Sequence, residues 1–268
     1  MSFVSGILVP IDFSERSAPA ARYARSLAAQ FGSSLILLHA LAPLQQELSG
    51  IEMAGHMLRE LQLQRRARAE QELRAFAADI GASEWVVEEG DPARLIVSVA
   101  HERAGLIVMP THGFGPFRRF ILGSTAAKVL HDADCPVWTG VHLEDAPAPA
   151  RPRRVLCAVD LGPQSSKTLF WAASVALQFG ASLTLLHVTL GARDAALEEL
   201  GRLRKFVNAE AELAVDTGDP ATAICAAVSE QEADVLVIGR GSAAGVFGRL
   251  RASAYSIIRQ SPCPVVSV

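Results

Sequence analysis

The residues of this chain with the greatest capacity for chemistry fall into two sets. An aspartate closes each of two short apolar runs, Asp12 after ILVPI and Asp160 after VLCAV. A second apolar run in each half leads into a glycine-bearing loop. The first loop runs from Pro110 through Gly113 and Gly115 to Gly123-Ser124, the second from Gly239 through Gly241 and Ser242 to Ala252-Ser253. Glycine lets backbone N–H groups approach an anion, and a Gly-Ser pair opening a helix presents unpaired N–H groups at the positive end of the helix dipole. The chemistry so indicated is phosphate binding. An ordinary turn and helix cap use the same residue types, and no GxxxxGK[ST] loop is present.

Each aspartate can be read as a helix cap or as a ligand group. Ser14 and Gly162 are acceptable caps themselves and Pro163 suits a first helical position, which spares Asp12 and Asp160 for another role. Arg118, Arg119, Arg249 and Arg251 lie in or beside the glycine loops, where they either meet phosphate or stay solvated. His112 is a loop residue. His39 and His187 match one another at a strand end and read as structural, and no histidine stands near a carboxylate or thiol in the manner of a triad.

Alternating elements must position these groups. Gly6 to Asp12 reads as a buried strand, Ser14 to Phe31 as an amphipathic helix closed by Gly32, and Leu35 to Ala40 as a second strand. A helical pattern runs from about Leu48 to Ala78, followed by a strand at Trp85 to Glu89 and a helix from Pro92. Leu106 to Met109 is a fourth strand, a helix starts at Ser124, and Pro136 to Val141 is the fifth strand. Short continuous apolar strands alternating with helices predict a parallel sheet covered on both faces.

The order then repeats. Residues 7–40 and 155–188 align without a gap and share about 14 of 34 positions, too many for common propensity alone. The match resumes at Gly90-Asp91-Pro92 and Gly218-Asp219-Pro220, at LIVMPTHG and VLVIGRGS, and at ADCPV and SPCPV. The chain is a tandem duplication, divided into residues 1–143, a proline-alanine linker over 144–153, and residues 154–268. The second helix of the repeat, about Asp194 to Asn208, is the shorter copy. Pro136 and Pro264 stand at the starts of the two fifth strands, after Cys135 and Cys263, where they suit edge positions.

A chain of 268 residues with half of them hydrophobic can bury two cores. Its net charge of -3 gives little support to nucleic-acid binding, and the Arg65-Arg66-Ala67-Arg68 run lies among glutamates at helical spacing, as on an ion-paired helix face. No apolar stretch approaches the ~20 residues of a membrane span, and no secretory signal is visible, so a cytoplasmic protein is expected. The four cysteines form no CxxC pair or metal-spaced set. Cys135 and Cys263 read as small buried residues at a strand start.

With these residues in place, the chain resembles the universal stress protein family. That family has an aspartate closing strand one, a glycine after strand four, another shortly beyond it, and a Gly-Ser or Gly-Thr pair at a fixed interval. The resemblance covers both halves almost end to end. It implies two tandem five-stranded parallel-type α/β domains, Rossmann-like and similar to the adenine-nucleotide α-hydrolases. For an intact motif it also implies ATP, with or without Mg, bound at the point where strand order reverses. Carried over, Asp12 would touch adenosine, Ala40 would line the adenine, and Gly113, Gly123 and Ser124 would hold ribose and phosphates. The counterparts Asp160, Val188, Gly239 and Ser253 would form a weaker second site. Pro110 replaces the first glycine of the first half, which removes one backbone donor. Ser242 and Ala252 replace two glycines of the second, where each adds a Cβ at a close approach or at φ > 0. The family is characteristically dimeric, which implies that the two halves pack as a pseudo-dimer through their fifth strands and leaves open whether whole chains form a homodimer. A scaffold acting through protein partners without nucleotide is the alternative function, and catalysis beyond slow ATP hydrolysis finds no acid-base or metal cluster.

Overall fold

Valine, isoleucine and leucine fill the strands on both faces, and several of the helices between them stop at a residue in the left-handed conformation. The computed structural model describes residues 3–43, 55–111, 122–140, 151–240 and 248–268. The first half contains β1 (Gly6–Pro10), α1 (Ser17–Phe31), β2 (Ser34–Leu41), α2 (Gly55–Ile80), β3 (Glu84–Glu89), α3 (Pro92–Arg103), β4 (Leu106–Pro110), α4 (Ser124–Asp132) and β5 (Val137–Gly140). The second contains β6 (Arg154–Ala158), α5 (Ser165–Phe179), β7 (Ser182–Thr189), α6 (Arg193–Val207), β8 (Glu212–Thr217), α7 (Pro220–Glu230), β9 (Val235–Ile238), α8 (Gly248–Gln260) and β10 (Val265–Ser267). Gly32 and Gly180 end α1 and α5 with φ of 66° and 63°, and Asn208 ends α6 in the same conformation.

The strands form one 10-stranded sheet in the order β3-β2-β1-β4-β5-β10-β9-β6-β7-β8. Every pairing is parallel except β5 with β10, where Val137 faces Ser267, Trp138 faces Val266 and Thr139 faces Val265. The fifth strands therefore join the halves, as the expected pseudo-dimer requires. Pro136 and Pro264 are not at an edge of this sheet. Each precedes the first paired residue of the seam, so its missing N–H costs no ladder bond, while its carbonyl accepts from Ile107 N or Leu236 N at 3.0 Å.

Alternation along the strands sends Ile7 and Val9 to one face and Leu8 to the other. The first face carries α1, α2, α5 and α6, the second α3, α4, α7 and α8. The seam is sealed on the first face by aromatic rings. Trp138 lies 6.2 Å from Tyr23 and 6.4 Å from Trp171, and Phe31 lies 5.1 Å from Phe179. On the second face Tyr255 of α8 donates to the Ala127 carbonyl of α4 at 3.3 Å. Arg240, just beyond β9, reaches the Ala133 and Cys135 carbonyls at the C-terminal end of α4. The basic run is ion-paired as expected, with Arg66–Glu70 at 2.9 Å and Arg68–Glu72 at 2.8 Å. Cys263 is buried and Cys135 partly so.

Candidate functional site

Strand order reverses between β1 and β4, and again between β6 and β9. At such a point the loops leaving neighbouring strands diverge to opposite faces and open a crevice beyond the strand ends. Asp12 and Asp160 stand at these two crevices.

Each aspartate is tied to the helix that follows. Asp12 Oδ1 accepts from Ser14 N at 3.0 Å and from the Ser17 hydroxyl at 2.7 Å. Asp160 Oδ1 accepts from Gly162 N at 2.9 Å and from the Ser165 hydroxyl at 3.0 Å. The expectation that Ser14 and Gly162 act as caps is corrected here. The residues before α1 and α5 are Arg16 and Gln164, neither caps with its side chain, and the aspartates themselves brace the turn. In both cases only Oδ1 is used, and no hydrogen bond among the described residues engages Oδ2.

The residue after each aspartate is left-handed without being glycine: Phe13 at φ 58° and Leu161 at φ 60°. A bulky side chain there costs about 1–3 kcal/mol, and its recurrence at matching positions beside both aspartates marks a turn held by its surroundings. Nothing in the residue types signals it. Phe13 packs on His39 at 4.7 Å and edge-on to Phe76 at 6.2 Å. His39 and His187 are structural: their Nδ1 atoms lie 2.7 and 2.8 Å from the carbonyls of Ile11 and Val159. A carbonyl can only accept, so Nδ1 carries a proton, and in the neutral imidazole Nε2 is then the acceptor.

In the first half Ala40 is half-buried near the end of β2, opposite Glu88. Gly123 donates to the Thr111 carbonyl at 2.9 Å, and α4 opens at Ser124. Gly123 has φ -62° and ψ 148°, which any residue adopts, so alanine at the matching position 252 is not penalised by backbone conformation. The difference between the halves lies in where the helix begins. α8 starts at Gly248, so residues 252 and 253 come after the four N–H groups that a helix leaves unpaired. Gly113, His112, Arg118, Arg119 and Ser242 lie outside the described residues, as do the side chains of Arg249 and Arg251.

The second crevice forms a cavity of about 370 Å³ that touches Asp160, Val188, Gly239 and Ser253 together. Gly239 has a packing reason to be glycine. A Cβ there would stand 3.0 Å from Thr168 Oγ1. In the first half Ala20 occupies the place of Thr168 and Pro110 that of Gly239, so the two positions change together. The Gly-Asp-Pro tripeptides are also explained by structure. Asp91 caps α3 by accepting from Arg94 N, and Asp219 caps α7 by accepting from Thr222 N.

The described residues contain no group of three or more His, Cys, Asp or Glu arranged for a metal, and no helix among them is long and apolar enough to cross a membrane.

A three-layer α/β sheet, doubled in one chain with an aspartate at each reversal of strand order, defines a tandem protein of the Rossmann-like class. The chain belongs to the universal stress protein family, whose sequence pattern matches residues 5–139, 152–205 and 189–268. A universal stress protein of Mycolicibacterium smegmatis is 26% identical over 286 aligned residues, covering 98% of this chain and 96% of the relative. One from Thermus aquaticus is 33% identical over 135 residues, 49% of this chain and 94% of the relative. The crystal structure of a universal stress protein from Archaeoglobus fulgidus superimposes with a TM-score of 0.74 at 25% identity, covering 98% of this chain and 95% of that one.

Proposed function

We propose that the chain is an ATP-binding stress-response module in which the first half, residues 1–143, holds the nucleotide and the second, residues 154–268, has lost the phosphate cradle. The observation that carries this reading is the unequal helix start. α4 opens at Ser124 directly beyond the β1/β4 crevice, and among the described residues no side chain caps its first N–H groups, which can then meet phosphate. The matching N–H groups of α8 are consumed inside the helix.

Asp12 Oδ2 would accept from a nucleoside hydroxyl, Ala40 would flank the base, and Gly113, Gly123 and Ser124 would carry ribose and phosphates. Pro110 removes one donor from this set without closing it. Any Mg²⁺ would arrive on the phosphate oxygens, its usual partners in nucleotide sites. The chemistry is binding, with hydrolysis at most slow, and occupancy biases conformation or partner choice. A whole-chain homodimer would need a surface other than the β5 edge, which β10 already occupies.

Calorimetric titration of ATP tests the reading. The expected stoichiometry is one ATP per chain. Ser124→Pro keeps the helix, because proline is tolerated at a first helical position and Gly123 already has the extended backbone that precedes it. It deletes one N–H and one hydroxyl facing the phosphates and should weaken ATP about 10- to 100-fold. Two equal ATP sites, or an unchanged affinity, would refute it.

One observation favours the scaffold alternative. Phe170 and Leu177, two turns apart on one face of α5, are 61% and 85% exposed, as on a helix that meets a partner. Under that reading no adenine nucleotide raises the melting temperature.

A further inference from the structure

We infer that the small cavity at the seam between the halves binds one monovalent oxyanion of formate size, held between the Arg240 guanidinium and the Ser267 hydroxyl. The inference does not depend on what either crevice binds.

The cavity lies on the second face of the sheet, where the halves meet. Leu130 and His131 of α4 line it from the first half, and Arg240, Tyr255, Ile258 and Ser267 from the second. Its volume is about 60 Å³. A single water needs about 10–15 Å³ of such space, whereas pockets for drug-sized molecules begin near 300 Å³. A nucleotide, nucleoside or peptide is too large for it.

Two of the lining groups are donors that the described residues leave incompletely used. Ser267 stands on β10 opposite Val137, is 0% exposed, and its hydroxyl has no hydrogen-bond partner. A buried hydroxyl without a partner is uncommon and costly. Arg240 donates through Nη1 to the Leu130 and Ala133 carbonyls and through Nη2 to that of Cys135. That leaves Nε–H and one N–H of Nη2 for a further acceptor. These nitrogens share one edge of the guanidinium, the kind of edge from which arginine gives a carboxylate two parallel bonds.

Charge points the same way. Burial pulls the Arg240 guanidinium below its ordinary pKa, and no salt bridge among the described residues ties it to a carboxylate. The acids near the end of α4 are engaged elsewhere, Asp132 with His131 at 2.5 Å and Asp134 with His101 at 3.5 Å. Tyr255 spends its hydroxyl proton on the Ala127 carbonyl, and the buried Leu130 and Ile258 side chains keep the local dielectric low, which strengthens the attraction for an anion. One cation with one hydroxyl matches a single negative charge. The positions matching Ser267 and Arg240 in the first half are Thr139 and Thr111, so the duplication repeats the hydroxyl but not the cation. One anion per chain is expected.

The full chain is melted in sodium formate exchanged for sodium chloride at constant ionic strength, and formate binding is measured by calorimetry. The melting temperature should rise and saturate, by about 3–6 °C at tenfold excess over Kd, with a stoichiometry of one. Arg240→Lys keeps the charge but loses the paired N–H edge, and should weaken formate at least about 10-fold. Ser267→Val places a methyl group in the cavity and suits a strand, so it should abolish the response, and it serves if Arg240→Lys does not fold. A melting temperature that does not respond to the exchange would overturn the inference, since water or chloride then fills the cavity equally well. A response of the same size in both variants would overturn it as well.

Discussion

Gly239→Ala decides whether this glycine serves a ligand or a neighbouring helix. The added Cβ would sit 3.0 Å from Thr168 Oγ1, inside the ordinary contact range of about 3.5–4.0 Å. Thr168 is 1% exposed, and its hydroxyl donates to the Gln164 carbonyl at 3.2 Å, so the oxygen cannot withdraw without breaking that bond. Overpacking of this kind costs about 1–3 kcal/mol. Thr168→Ala alone loses the hydrogen bond and a little packing, about 1–2 kcal/mol. In the double variant the clash has no second partner. Its total loss should then match that of Thr168→Ala alone, a coupling of about 1–3 kcal/mol in favour of the pair. The first half already contains a natural double of this kind, Ala20 with Pro110. Chemical denaturation of the four proteins measures the cycle. Losses that add within about 0.5 kcal/mol would refute the packing account.

Arg240→Met should be costly although it touches neither crevice. It strips the Ala133 and Cys135 carbonyls of their guanidinium partner at the junction of the halves, a loss of about 1.5–3 kcal/mol. Calorimetry should record a fall of roughly 3–10 °C in Tm, and an unchanged Tm would show that the contact is dispensable. Burial pushes the Cys263 thiol up to about 12 and holds that of Cys157 well above the usual thiol range, so both are almost wholly protonated at neutral pH. A thiol-specific chromogenic reagent should therefore leave these two unmodified in the native chain and label them in denaturant; rapid native labelling of Cys157 would contradict its placement in β6.

Much of this architecture is readable residue by residue, because it depends on neighbours in the chain. Val, Ile and Leu runs declare the strands, Gly32 and Gly180 end their helices, and the Arg66–Glu70 and Arg68–Glu72 spacing announces an ion-paired face. The joining of the fifth strands was legible for a different reason, the dimeric habit of the family applied to a duplicated chain. What stayed hidden depends on partners far away in sequence. Gly239 is spaced like a ligand glycine, and only the approach of α5 gives it a packing role. Pro136 and Pro264 look like edge residues until β5 and β10 are seen to start one residue beyond them. Phe13 and Leu161 adopt a conformation that their types disfavour, so no propensity points to the turn they shape. The unequal starts of α4 and α8 escape because Gly-Ser and Ala-Ser open or continue a helix according to what precedes them.

The antiparallel step at the β5–β10 seam has a consequence for how this chain meets its surroundings. Strands within each half run the same way, so reversing direction once at the middle sets the carboxyl ends of the first half at one rim of the sheet and those of the second half at the opposite rim. The two crevices thus face away from each other. A protein docked over one doorway leaves the other open to solvent, and two different partners can each attend a single ligand. Any influence of one ligand on the other has to pass through the body of the molecule, where Arg240 and Tyr255 grip opposite ends of α4.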